Sequence, residues 1–171
     1  MADETKLKIV VFGAFGAGKS TLIKTLDPAS KHIEANCAGG TTTVALDFGR
    51  IQNNGCNIHL YGTPGQERFE FAREIIARGM DGALLLVDVT APLDEFTRHL
   101  SDSLHEAKVP FMVFLNKCDQ NGANPDSFAG QFGISQVKKV SAKDRRQCMA
   151  EFLEFTGSLS PRPNGHNHNH S

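Results

Sequence analysis

The sequence lacks most of the bulk signals that assign a chain to a function class. Its four cysteines, Cys37, Cys56, Cys118 and Cys148, lie far apart with no C-x-x-C pair, so there is no disulfide framework to read. A reducing, cytoplasmic setting is the expectation. Eighteen basic against nineteen acidic residues leave a formal charge of -1, which gives no overall field toward nucleic acid or an anionic membrane. The opening stretch "MADETKLKIVVF" carries an apolar run of only four residues, too short for a signal-peptide core. Position 2 is Ala2 and the chain ends at Ser171 without a C-a-a-X box, so neither common lipid anchor is encoded. No run approaches the length of a membrane span.

What is present is ordinary in bulk. A chain of 171 residues that is 40% hydrophobic and 22% charged fits one soluble domain with its own core. The final stretch "PRPNGHNHNHS" cannot bury a core. Residues 160–171 are therefore read as a disordered tail and residues 1–159 as the domain, with His166, His168 and His170 as a purification-tag remnant or a disordered end, against a weak surface site for a transition metal.

Along the domain the pattern alternates. "LKIVVF" reads as a buried strand feeding a glycine-rich turn, and "STLIKTL" as helix. Residues 27–42, "DPASKHIEANCAGGTT", show no periodicity and read as a long mobile loop. "TVALDFGRI" and "CNIHLY" flank the Asn-Gly turn of "QNNG", a hairpin signature. "GALLLVDV" and "FMVFLN" read as buried parallel strands, with Leu93, Phe96, Leu100, Leu104 and Ala107 as one helical stripe between them. "QVKKV" is a last short strand before a helix carrying Cys148, Phe152, Phe155 and Leu159. The class is α/β.

"GAFGAGKS", Gly13 to Ser20, fits G-x-x-x-x-G-K-[ST] between a strand and a helix. Backbone N–H groups of Gly13, Phe15, Gly16, Ala17 and Gly18 can curl around phosphate oxygens at a helix N-terminus, with Thr21 close by. Lys19 would reach the terminal phosphates and the Ser20 hydroxyl would hold Mg²⁺. "NKCD", Asn116 to Asp119, follows the buried run "FMVFL", and "SAK", Ser141 to Lys143, follows "QVKKV", so both sit at strand C-terminal ends, on the ligand side of an open α/β sheet. The Asp119 carboxylate can accept from guanine N1–H and the exocyclic amine, which selects GTP over ATP. Lys117 can lay its stem along the base, Asn116 can tie the loops together, and the Ala142 N–H can donate to the guanine oxygen.

Together with Thr43 and "GTPGQE", these segments resemble the five boxes of the Ras-like small GTPase superfamily. "TTTVALDFG" with "GTPGQERF" is similar to a prokaryotic branch that includes the gliding-motility polarity GTPases and the conservon GTPases of actinobacteria. The resemblance implies a P-loop NTPase, a Ras-like G domain with a six-stranded, mostly parallel sheet of order 2-3-1-4-5-6, one antiparallel edge strand and helices on both faces. It also implies GTP/GDP as ligand, GTP hydrolysis, a Roadblock-type regulator and an effector protein; the hydrolysis is expected to be slow unaided, because no arginine lies between Asp27 and Thr43 to serve in cis. Gln66 matches the water-orienting glutamine and Gly65 the residue whose N–H senses the γ-phosphate.

Two departures stand out. Ras-like proteins have an aspartate where this chain has Gly62, which removes a magnesium-holding carboxylate unless Asp47 replaces it beside Ser20 and Thr43. Thr43 and Asp47 share a strand face but lie about 13 Å apart when extended, so both would serve one ion only through water or a curled strand. Phe15 stands where Ras has a glycine and would crowd an incoming arginine. The competing readings are an adaptor that binds guanine nucleotide without turnover, and a P-loop ATPase or kinase, which Asp119 argues against. On the helix after Gln66, Phe69, Ala72, Ile76 and Met80 form a stripe toward the sheet. Phe71 and Ile75 fall nearly opposite, rimmed by Glu70, Glu74 and Arg78, as an exposed partner surface.

Overall fold

The computed structural model describes residues 5–37 and 42–159. The tail reading for residues 160–171 lies outside the described residues.

Strand β1 (Thr5–Gly13) opens the chain and leads through the glycine-rich turn into helix α1 (Lys19–Leu26). Two antiparallel strands follow, β2 (Lys31–Cys37) and β3 (Thr42–Asn53), and then β4 (Cys56–Gly62). The β3–β4 turn has Asn54 at φ 49° and Gly55 at φ 78°, the paired left-handed residues of a type I′ hairpin turn. A short 3₁₀ turn, Glu67–Phe69, runs into α2 (Glu70–Ala77). The remainder alternates β5 (Gly82–Asp88), α3 (Glu95–Glu106), β6 (Phe111–Asn116), β7 (Val137–Lys139) and α4 (Arg145–Gly157). Asp94 caps α3 by accepting from the Thr97 N–H at 2.6 Å, and Asp144 caps α4 by accepting from the Gln147 N–H at 3.1 Å.

One seven-stranded sheet results, in the order β2-β3-β4-β1-β5-β6-β7. β1 pairs parallel with β4 and β5, β6 pairs parallel with β5 and β7, and β3 runs antiparallel to both its neighbours. The α/β class, the mostly parallel sheet and the order of its six expected strands are as read from the sequence. The count and the edge are not. Residues 31–37, expected in a mobile loop, form a strand that pairs with β3 from Lys31↔Phe48 to Cys37↔Thr42, so the antiparallel strand is not the edge. Lys31, His32, Ile33, Glu34 and Asn36 are all exposed; the alternation of Ile33, Ala35 and Cys37 with His32, Glu34 and Asn36 is too short and too weakly apolar to stand out beside Pro28 and the Gly39-Gly40 pair.

Strand alternation splits the core in two. Ile9 and Val11 point with Leu84, Leu86 and Phe114 to the face covered by α1 and α4. Val10 and Phe12 point with Leu85, Val87, Val113 and Leu115 to the face under α2 and α3. Leu100 and Leu104 of α3 are buried there as expected, while Ala107 lies exposed just past the helix. Cys148, Phe152 and Phe155 of α4 are buried on the first face. The strand ends that carry the P-loop and "NKCD", those of β1 and β6, are thus paired on both sides, while "SAK" follows the edge strand β7.

Candidate nucleotide site

β1 delivers the chain to a turn in which Gly16 has φ 80° and Gly18 φ 105°, a left-handed region that suits glycine. Space also demands glycine: a Cβ on Gly13 would come 2.7 Å from Leu86 O, and one on Gly18 would come 2.5 Å from Asn116 Nδ2. The turn is clamped between the ends of β5 and β6 at the start of α1, where an anion is favoured; of the N–H groups expected to meet phosphate, that of Phe15 donates to Gly65 O at 3.0 Å and that of Ala17 to Ala14 O at 3.1 Å.

Lys19 folds back over this turn, its Nζ donating to Gly13 O at 2.7 Å and Ala14 O at 2.9 Å. Burial, and then the nearby Arg73, push its pKa down to about 8, while Asp47 pulls the other way. A phosphate beside it would restore the charge.

Ser20 Oγ donates to Asp47 Oδ2 at 2.5 Å, and Asp47 Oδ1 lies 3.0 Å from His32 Nδ1. Asp47 stands directly opposite Gly62 in the β3–β4 register. A Cβ on Gly62 would lie 2.7 Å from Ile23 Cδ1 and 3.3 Å from Asp47 Cβ. The neighbouring strand therefore brings a carboxylate to the P-loop hydroxyl from beside the position that lacks one. Two hard oxygen donors so placed fit Mg²⁺, with the nucleotide's phosphates and water completing its shell. Thr43 is not part of that cluster, since its Oγ1 donates to Asn36 Oδ1 across the β2–β3 pair at 3.1 Å. Among the described residues no group of three or more His, Cys, Asp or Glu is arranged to hold a metal.

Gly65 lies against the P-loop: Phe15 N–H donates to Gly65 O at 3.0 Å, and a Cβ on Gly65 would come 2.6 Å from Lys19 Nζ. The Gly65 N–H has no hydrogen-bond partner among the described residues. The Phe15 side chain is 80% exposed. Gln66 is exposed too, and it lines an open cleft of about 600 Å³ shared with Lys19, Ser20, Thr43, Asp47 and Lys117.

On the base side, buried Asn116 ties two loops, its Nδ2 donating to Ala17 O at 2.9 Å and its Oδ1 accepting from Ala142 N–H at 2.7 Å. That is the tie expected of Asn116, and it engages the Ala142 N–H that was expected to meet a guanine oxygen. Asp119 and Lys143 are exposed at the rim and Ser141 is half-buried. Lys117, at φ 69°, reaches over the P-loop to donate to Gly16 O at 2.9 Å and to Asp88 Oδ2 at 2.7 Å. A left-handed lysine at this place is local strain held by its neighbours.

Two residues of the site escaped the sequence reading. Asp88, at the C-terminal end of β5, accepts from Lys117 and from Thr90 N–H and Oγ1. Burial alone would raise its pKa, but these hydrogen bonds outweigh burial and leave it lowered. Arg73 is buried in α2 and donates to backbone carbonyls of the segment before it. Arg73 does leave a trace in the sequence, a charge at i+4 from Phe69 and within the stripe of Ala72 and Ile76.

Residues 4–156 match the family model described as the elongation factor Tu GTP binding domain. The chain belongs to that family. It is 35% identical over 114 residues to an uncharacterised protein of Methanocaldococcus jannaschii, covering 67% of this chain and 71% of that protein. It is 34% identical over 173 residues to translation initiation factor IF-2 of Pelotomaculum thermopropionicum, covering 91% of this chain but 17% of the factor. This G domain thus spans under a fifth of the factor's length. Two solved structures share the fold. The G domain of the FeoB iron transporter of T. maritima superposes with a TM-score of 0.65 at 21% identity, covering 88% of this chain and 99% of that one. Elongation factor SelB of Methanococcus maripaludis, solved with a GTP analogue, gives a TM-score of 0.73 at 18% identity, covering 96% of this chain and 36% of that one. The chain is a GTP-binding P-loop G domain, of a family of GTP hydrolases. No helix among the described residues is long and apolar enough to cross a membrane.

Proposed function

We propose that this G domain works as a small regulatory GTPase, a Mg²⁺-dependent GTP/GDP switch that hydrolyses GTP slowly unaided and recruits partners in the GTP state. The observation that carries the reading is the 2.5 Å contact of Ser20 Oγ with Asp47 opposite Gly62, because a decayed site would have no reason to keep a carboxylate there. Ser20 and Asp47 would hold Mg²⁺, which would neutralise charge on the phosphates. Asp119 would read guanine at the rim, with Lys117 stretched beneath the base. Gly65 would sense the γ-phosphate through its unengaged N–H, and Gln66 would orient the attacking water. Slow turnover follows from Phe15, whose exposed ring stands at the P-loop where an arginine from a partner would enter.

The recruiting surface is Phe71 and Ile75, 43% and 54% exposed on α2, while Phe69 and Ala72 pack inward. Two adjoining apolar side chains on the element that follows Gly65 are placed to report the nucleotide state. We place the protein in the prokaryotic, cytoplasmic branch resembling the gliding-motility and conservon GTPases, with a Roadblock-type regulator. Single-turnover hydrolysis of GTP with and without Mg²⁺ tests the enzyme. A rate that Mg²⁺ does not raise above the uncatalysed background would make the chain a nucleotide-binding adaptor instead. Capture of a Roadblock-type protein by the GTP-analogue form, lost in Phe71→Ala/Ile75→Ala with nucleotide affinity intact, tests the surface.

A further inference from the structure

Four consecutive carbonyls between β4 and α2 are occupied, three of them by one side chain. Arg73 Nη1 donates to Pro64 O at 3.2 Å and Gln66 O at 2.6 Å, and its Nη2 donates to Glu67 O at 3.1 Å. The fourth carbonyl, of Gly65, accepts from Phe15 N–H at 3.0 Å. Arg73 is only 6% exposed, and its guanidinium carbon lies 4.9 Å from the centre of the Phe96 ring. A buried arginine is expensive unless its donors are used. Here they go to backbone oxygens. A guanidinium presents its N–H groups in one rigid plane, so carbonyls bound to that plane are fixed relative to each other. The backbone of Gln66 is therefore anchored from both sides while its side chain remains free at the cleft.

We infer that Arg73 is a positioning residue for GTP hydrolysis, its guanidinium fixing the backbone of Gln66 so that the side-chain amide meets the attacking water in one orientation. This rests on the reading of Gln66 as the residue that orients that water. The physical ground is entropic: a glutamine has several rotatable bonds, and a backbone that also moved would spread its amide over positions that do not react. Arg73 approaches the phosphate region closely enough to weigh on Lys19, yet its side-chain hydrogen bonds among the described residues go to residues 64, 66 and 67. Its action on the reaction thus runs through the loop.

The test uses the full chain loaded with GTP and Mg²⁺, and compares single-turnover rates for wild type, Arg73→Met, Arg73→Lys, Gln66→Leu and the Arg73→Met/Gln66→Leu double variant. GDP dissociation constants and melting temperatures are measured alongside. Gln66→Leu is expected to slow hydrolysis about a hundredfold and Arg73→Met at least about tenfold, with GDP affinity within about threefold of wild type. Arg73→Lys, which keeps the charge but not the planar fork, should fall between. The double variant should be no slower than Gln66→Leu alone, because orientation of a missing side chain cannot be lost again. Slow Gln66→Leu with wild-type rates in the Arg73 variants overturns the inference and leaves the Gln66 reading standing. Multiplying losses in the double variant also overturn it. A wild-type rate in Gln66→Leu instead removes the Gln66 reading itself. Should Arg73→Met not fold, Arg73→Lys decides: a slowed rate at unchanged melting temperature supports the role, and a full rate refutes it.

Discussion

The two halves of the nucleotide site are built differently. On the base side, the motifs are tied to one another and to the end of β5: Asn116 bridges Ala17 and Ala142, and Lys117 bridges Gly16 and Asp88. These groups sit at the ends of β5 and β6, whose side chains are almost all buried. On the switch side the decisive groups come from outside any motif. Asp47 reaches Ser20 from the next strand, and Arg73 reaches back from α2 to the loop before it. That half is joined to β2 at the sheet edge, whose outer residues are exposed. A half that only has to recognise a constant base can be rigid, whereas one that must answer to a γ-phosphate needs contacts that can be made and broken.

The largest break in this comparison is expected at the point common to both halves. Lys19→Ala removes the ammonium that caps the P-loop and should weaken GDP and GTP about a thousandfold by losing a charge-assisted phosphate contact in a partly dry site. Isothermal titration reads it; unchanged affinity would sink the phosphate assignment. Next comes the base. Asp119→Asn should weaken GTP about a hundredfold or more and favour xanthosine triphosphate, since the amide offers a donor to a base edge that then carries oxygen. The melting temperature should hold, because Asp119 is exposed with no hydrogen bond of its own among the described residues. If GTP binds the variant as before, guanine is read elsewhere.

The same division explains what the sequence made legible. The P-loop, "NKCD" and "SAK" are short contiguous strings with fixed spacing, and the first two follow the apolar runs of β1 and β6. The hairpin was announced by Asn54-Gly55. β2 was not, because its alternation of Ile33, Ala35 and Cys37 is short and weakly apolar and its pairing with β3 is a tertiary fact. The partners of Asp88 and Arg73 are likewise tertiary. Only their positions gave a hint, one at the end of an apolar strand and the other on an apolar helix stripe. Phe71 and Ile75 were legible as exposed because the stripe opposite them is strongly apolar.

The comparison sharpens at Gly62. Asp47→Ala should raise the Mg²⁺ concentration needed for tight GTP binding between about tenfold and a hundredfold, leaving Mg²⁺-free GDP binding little changed. Gly62→Asp should recover this only when Ile23→Val is added, because the new Cβ would lie 2.7 Å from Ile23 Cδ1 and valine lacks that methyl. Recovery in the triple variant places the carboxylate's role in its location rather than its strand. A Mg²⁺ requirement that Asp47→Ala leaves untouched returns this residue to an ordinary edge-region carboxylate.

The smallest expected effect is a pH dependence at Lys19, whose pKa burial chiefly lowers from 10.5 to about 8 in the nucleotide-free protein. Bound phosphates favour the ammonium, so binding takes up a proton wherever the free lysine is neutral. Without Mg²⁺, GDP affinity should fall about tenfold between pH 7 and pH 9. Stability must move the other way. A lysine whose folded value lies below its unfolded one binds fewer protons folded than unfolded between about pH 8 and 10.5, so its contribution to the stability of the empty protein rises with pH across that window. Affinity and this lysine's part in stability thus change with opposite sign through one group, and Lys19→Met should abolish both slopes. Calorimetry in two buffers of different ionisation heat counts the proton. If GDP binding at pH 9 takes up none, the ammonium is already fully charged in the empty P-loop and the carbonyls of Gly13 and Ala14 outweigh its burial.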